Sequence, residues 1–284
     1  MLKVTLRNWL LKNPRINPYR FSFKWFLRIL TSWLRVYPDI IIIGAGKCGT
    51  TSLYDYLIQH PRIRKSWKKE VNYFDIPFSK NRFWYRAHFP TVFTKYVKKC
   101  VVIEASPGYL LHPSAARRTK SLIPKIKIII LVRNPTERAL SFYNQQLKNK
   151  SQSQSFEYAI KNELDFINDG TIDSILNKDF EHSLGTSCIL SGGIYSKQIT
   201  NWLQYFPKER VRIFKTIDLE NNTRKVLSDI FEFLEISNYE IEDYGKKNVG
   251  NYEPMSKEMK FFLDSFFKPY NDELLSKFGI ELDY

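Results

Sequence analysis

Acidic residues are missing where they would be noticed first: residues 1–37 contain no aspartate or glutamate, against Lys3, Arg7, Lys12, Arg15, Arg20, Lys24, Arg28 and Arg35. Over the whole chain, 44 lysines and arginines face 29 carboxylates, a formal charge of +15. That imbalance points to an anionic ligand, an anionic substrate or an acidic surface, and it says nothing about fold. Cysteine is scarce too. Cys48, Cys100 and Cys188 form neither a paired framework nor metal-ligand spacing, so a disulfide scaffold is excluded and a reducing compartment is expected. The four histidines, His60, His88, His112 and His182, are scattered without ligand spacing, and no metal is expected. No apolar run approaches the roughly 20 residues of a membrane span. The basic start also lacks the small-residue cleavage site of a secretory signal. The expected location is cytoplasmic, with association at a membrane surface left open.

What is present is enough for a globular core. Hydrophobic residues make up 43% of 284 and charged residues 26%, which fits one α/β domain better than two. The chain is organised around residues 39–53. Ile40, Ile41, Ile42 and Ile43 form a β-branched run without polar alternation, as in a parallel strand covered on both faces. Gly44, Gly46 and Gly49 follow with Lys47 among them, and Thr50 and Thr51 then open an amphipathic helix. Strand, glycine-rich turn and helix N-terminus together make an anion site, because turn amides and the helix dipole both face the guest. Phosphate or sulfate suits it. A nucleoside triphosphatase loop would carry lysine directly after its last glycine. Here Thr50 holds that place and Lys47 lies inside the turn.

The stretch Gly46-Lys47-Cys48-Gly49-Thr50-Thr51-Ser52 resembles the 5′-phosphosulfate loop of sulfotransferases that use 3′-phosphoadenosine 5′-phosphosulfate (PAPS). A second match follows another apolar strand, residues 125–132. Arg133-Asn134-Pro135-Thr136-Glu137-Arg138-Ala139-Leu140-Ser141-Phe142-Tyr143 resembles the family's 3′-phosphate motif at every specified position. Physically, Arg133 offers a forked cation and Ser141 a hydroxyl near one strand end. Arg138 is expected to face outward. Between the two motifs, Lys69-Glu70-Val71-Asn72-Tyr73-Phe74-Asp75 resembles the segment that carries the catalytic glutamate of heparan sulfate N- and O-sulfotransferases. The resemblance implies Glu70 as the base, with His88 or Glu104 in reserve. It further implies Gly46, Lys47, Cys48, Gly49, Thr50, Thr51, Arg133 and Ser141 as donor contacts, with Lys47 also acting on the leaving phosphate. Lys247 and Gly250 are implied in a basic loop closing over the donor. The segment at residues 100–109 departs from the glycosaminoglycan enzymes, placing Ala105 where they have lysine.

The resemblance spans residues 39–284 and includes bacterial sulfotransferase domains. The expected organisation is a basic amphipathic segment at 1–37 and a sulfotransferase domain at 38–284. The expected fold is α/β: a P-loop-like three-layer domain whose central parallel sheet is flanked by helices. The expected reaction moves a sulfuryl group from PAPS to an acceptor hydroxyl, or an amine, on a carbohydrate-containing acceptor, without metal or nucleic acid. Two other readings stay open: a P-loop kinase or triphosphatase, and a non-catalytic protein that binds polyanions or a membrane surface. Within the basic segment, Phe23, Phe26, Leu27, Leu30, Trp33 and Leu34 recur at helical spacing. That apolar face either meets an anionic membrane or packs on the domain. The aromatic stretch at 81–96 is expected to be mostly core, with one or two rings lining an acceptor cleft.

Overall fold

The four isoleucines Ile40 to Ile43 are wholly buried, and the strand they form, β1 (Ile40–Gly44), is the middle of the sheet. In the computed structural model, which describes residues 23–75, 81–169, 188–245 and 253–282, five strands run parallel. The others are β2 (Ile63–Lys65), β3 (Val101–Ala105), β4 (Lys127–Val132) and β5 (Val211–Lys215), in the order β2-β3-β1-β4-β5. Ile40 lies opposite Ile103 of β3 and Lys127 of β4, so the three apolar runs seen in the sequence stack side by side. β2 was not anticipated; its short Ile-Arg-Lys stretch forms an edge, where cations discourage further pairing. The chain goes to one side of β1 for β2 and β3 and to the other for β4 and β5. The carboxyl ends at such a switch point form a crevice.

Helices cover the sheet: α1 (Phe23–Leu30), α2 (Thr50–Leu57), α3 (Arg82–Arg86), α4 (Val92–Val97), α5 (Ala115–Leu122), α6 (Pro135–Lys148), α7 (Phe156–Asp169), α8 (Tyr195–Leu203), α9 (Thr216–Asn221), α10 (Thr223–Phe233) and α11 (Lys257–Phe278). A second apolar cluster joins α6, α7 and α11 through Tyr143, Phe156, Ile160, Leu263 and Phe267. Of the two arrangements left open for the amino-terminal helix, packing of its apolar face on the domain is not the one observed. Its apolar stripe does not pack on the domain; Trp25, Arg28, Ser32 and Arg35 do. The Arg28 guanidinium donates to the Ala87 and Phe89 carbonyls at 2.7 and 2.8 Å, and that of Arg35 to Phe89 at 2.8 Å. Carbonyls left over at the end of α3 attract these donors, and that turns the apolar side outward. The aromatic stretch divides likewise: Tyr85 and Phe89 are core, Phe93 and Tyr96 are exposed, and none of its rings lines the cleft described next.

Candidate active site

The turn after β1 sets the site. Lys47 and Gly49 both take left-handed backbone, φ 72° and 81°. Glycine adopts that conformation freely, whereas a lysine there costs about 1–3 kcal/mol and needs support. Support comes from below. Ala45 N–H donates to the Leu131 carbonyl at 2.7 Å, and the Thr216 hydroxyl lies 2.9 Å from the Cys48 carbonyl and 3.1 Å from that of Val132. Thr216 thus ties the turn to the end of β4. Nothing local in the sequence could announce it, since the two residues are 168 positions apart.

The cleft has a volume of about 1620 Å³. A site for one small ligand has about 300–1,000 Å³, so this one has room for two substrates. Gly46, Lys47, Gly49, Thr50, Thr51, Glu70, Arg133 and Ser141 all line it. Cys48 does not, contrary to expectation. Its amide donates back to Ala45 at 3.3 Å, its sulfur lies 3.4 Å from the Tyr195 hydroxyl, and burial pushes its thiol pKa up. It is a packing residue beneath the turn. Lys247 and Gly250 lie outside the described residues.

Cations dominate the walls: Lys47, Arg133, Arg138, Lys148, Arg224 and Lys225, against Glu70, Asp75 and Glu220. Desolvation and then the nearby Arg133 charge hold the Lys47 pKa below its ordinary value, with Lys148 and Arg138 acting the same way. An anion placed among them would relieve that repulsion. Arg133 stands where β4 gives way to α6, whose first turn is fixed by the Asn134 side chain accepting from Glu137 N–H at 3.1 Å. Its Nε and Nη2 both donate to Glu137 Oε2, at 2.9 and 2.8 Å, which preorganises the fork. Arg138 does not face outward as expected. It is 2% exposed, donates to the Ile189 carbonyl at 2.8 Å and reaches the Gly46 carbonyl at 3.4 Å. A Cβ on Gly192 would stand 2.5 Å from its Nη2, so any larger residue there would have to displace the guanidinium. Buried Glu163 fixes the same turn by accepting from the amides of Ile189, Leu190 and Ser191. Arg138 therefore braces the glycine-rich turn from inside.

Glu70 is exposed at the cleft, in left-handed backbone at φ 56°, and Asn72 follows at φ 52°. Backbone strain of this kind persists only where surroundings over-determine it. Glu70 N–H donates to Ala105 O at 3.0 Å, Asn72 N–H to Ser106 Oγ at 3.1 Å, and Tyr73 N–H to the Tyr109 hydroxyl at 2.7 Å. Lys69 Nζ donates to Thr51 Oγ1 at 2.6 Å, joining this segment to the first turn of α2. The two reserve bases lie elsewhere. Glu104 is wholly buried and accepts from the Ser106 and Tyr109 hydroxyls at 2.8 Å each and from that of Tyr85. It points into the core instead of toward a ligand because three hydroxyls converge on it there. His88 is also wholly buried, its ring 4.6 Å from that of Trp25 and 4.5 Å from that of Trp84. One carboxylate escaped notice. Asp75 lines the cleft, and desolvation, with Glu104 and Glu70 adding to it, pushes its pKa up to about 7. Its place closing the Lys69–Asp75 motif was the available signal.

A family model described as "Sulfotransferase domain" matches residues 37–260. A membrane-associated sulfotransferase, kil1, of Dictyostelium discoideum is 30% identical over 84% of this chain and 64% of its own length. A bifunctional heparan sulfate N-deacetylase/N-sulfotransferase of Caenorhabditis briggsae is 27% identical over 84% of this chain, which spans only 30% of that protein. Among solved structures, a sulfotransferase from Alicyclobacillus acidocaldarius superposes with a TM-score of 0.66 at 25% identity, covering 87% of this chain and 98% of that one.

Proposed function

The chain belongs to the sulfotransferase domain family, and from that premise we propose that it transfers a sulfuryl group from PAPS to a hydroxyl, less readily an amine, on a carbohydrate-containing acceptor. The observation that carries this reading is the meeting in one cleft of Lys47 from the end of β1, Arg133 from the end of β4, and Glu70 from the segment anchored to the end of β3. Arg133 and Ser141 suit the 3′-phosphate, and Lys47 with the Gly49–Thr51 turn suits the 5′-phosphosulfate. The acceptor oxygen attacks sulfur, the bond from sulfur to the 5′-phosphate oxygen breaks, and Glu70 takes the acceptor's proton. Charge gathers on the departing phosphate, where the Lys47 ammonium and the N-terminus of α2 are already in place. Products are a sulfate ester and adenosine 3′,5′-bisphosphate. Sulfated-glycan relatives support a carbohydrate acceptor, while Ala105 argues that its fit differs from theirs. Lys247 and Gly250 belong to the same proposal as donor contacts, as does a cytoplasmic protein meeting a membrane surface peripherally through its basic amino-terminal segment. Among the described residues no helix is long and apolar enough to cross a membrane.

Calorimetric titration with adenosine 3′,5′-bisphosphate tests the donor assignment. Binding is expected without magnesium, and labelled PAPS should pass its sulfur to a glycan panel. Heat from ATP with magnesium and none from the bisphosphate would move the protein to the nucleotide kinases. Binding of polyanions or vesicles with neither nucleotide would make it a non-catalytic surface protein.

A further inference from the structure

The outward face of α1, with the turn after it and α4, carries seven large apolar side chains between 60% and 76% exposed: Phe23, Phe26, Leu30, Trp33, Phe93, Tyr96 and Val97. Monomeric soluble proteins rarely show so much apolar surface together. The two parts are tied together through the backbone, since Arg35 pairs with Thr91 and Val36 N–H donates to Pro90 O at 3.1 Å just before α4 begins. The face is also held outward. Positions 25, 28, 32 and 35 dock on the domain, Arg28 stacks on Trp67 at 4.7 Å, and Arg86 donates to the Trp33 and Arg35 carbonyls. A helix that packs by its arginines and displays its aromatics has the reverse of a core-facing polarity.

We propose that this face inserts into the interfacial layer of an anionic lipid membrane. The proposal deepens, and rests on, the peripheral membrane contact suggested above, and it makes the contact apolar as well as electrostatic. Charge selects the occupant. Residues 1–37 hold eight cations and no carboxylate, of which only Arg28 and Arg35 are seen turned onto the domain, and α4 and the turn after it add Lys95, Lys98 and Lys99. A second copy carries the same +15 and would meet cation with cation, whereas an anionic leaflet complements the rim and accepts the aromatics at headgroup depth. Lys95 pairs with Asp39, just before β1, so α4 sits at the amino ends of the strands. The cleft opens at the carboxyl ends, about 15 Å along β1 at the usual strand rise.

The full chain should sediment with phosphatidylcholine vesicles that contain phosphatidylserine, and a Phe26→Ser/Leu30→Ser/Trp33→Ser variant should bind them about 10- to 100-fold more weakly. Phe93→Ser/Val97→Ser should weaken binding as well, and both variants should keep wild-type affinity for adenosine 3′,5′-bisphosphate, which reports an intact fold. Wild-type protein remaining in the supernatant would remove the membrane contact altogether. Variants that bind as wild type, with all binding lost in high salt, would overturn this face while leaving an electrostatic contact standing. A wild-type dimer that the variants convert to monomer, with no vesicle binding, would assign the face to a second copy.

Discussion

Replacing Glu104 by glutamine changes one atom of the buried network behind the candidate base. Glu104 Oε1 accepts from Ser106 and Tyr109, and Oε2 from Tyr85. The same Ser106 and Tyr109 hydroxyls then accept from the Asn72 and Tyr73 amides, so the carboxylate fixes which way they point and thereby the backbone beside Glu70. A glutamine can keep its oxygen toward Ser106 and Tyr109, but its amide group then faces Tyr85 as a donor. The Tyr85 hydrogen is stranded in the core, at about 1–3 kcal/mol, and the other two bonds lose charge assistance worth about 1 kcal/mol each. Burial raises the Glu104 pKa, so removing the charge returns part of this. The net loss should be about 1–3 kcal/mol, small enough beside a typical 5–15 kcal/mol for the variant to fold. Urea unfolding measures that term. Turnover with labelled donor should fall about tenfold or more while bisphosphate affinity is kept, and Ser106→Ala should lower turnover in the same way with a smaller loss of stability. If Glu104→Gln retained both its unfolding midpoint and its turnover, the network would have no part in placing Glu70.

Three further outcomes follow from the cleft. Glu70→Gln should bind the bisphosphate as wild type and lose turnover by about 10²–10⁴-fold, read by single-turnover transfer; unchanged turnover would pass the proton to Asp75. Arg133→Ala should weaken adenosine 3′,5′-bisphosphate by about 10- to 100-fold, yet leave adenosine 5′-phosphosulfate nearly unaffected, because only the former carries the 3′-phosphate. For Asp75, the folded pKa of about 7 lies above the ordinary 3.8, so the folded chain keeps a proton that the unfolded chain has released. Stability from this group is then present below about pH 4 and lost as pH rises to 7. Asp75→Asn should flatten the fall in urea midpoint across that range; an identical slope would contradict the assignment.

The strands and the two corners of the cleft proposed to hold the donor were legible because their signals are local. Four consecutive isoleucines need no context to be buried, and Gly46–Ser52 and Arg133–Ser141 each hold spacing within one turn and one helix. Arg138 was misplaced because helical periodicity gives an angle around α6 but not what waits at that angle; the carbonyls of residues 188 and 189 come from a segment 50 positions away. Glu104 and His88, held only in reserve as bases, could not be resolved for the same reason, since a residue at a strand end or beside a motif becomes structural once distant hydroxyls or rings close over it.

By itself the sequence determined the parallel sheet, the glycine-rich turn, the forked arginine and the excess of positive charge, all of which depend on residue type and short spacing. Only the tertiary structure decided that Thr216 and Arg138 brace that turn, that Asp75 joins the cleft with its proton held to about pH 7, and that α1 displays its apolar side. Those outcomes depend on which unsatisfied carbonyls and hydroxyls meet across the fold, and such meetings are set by packing between segments far apart in the chain.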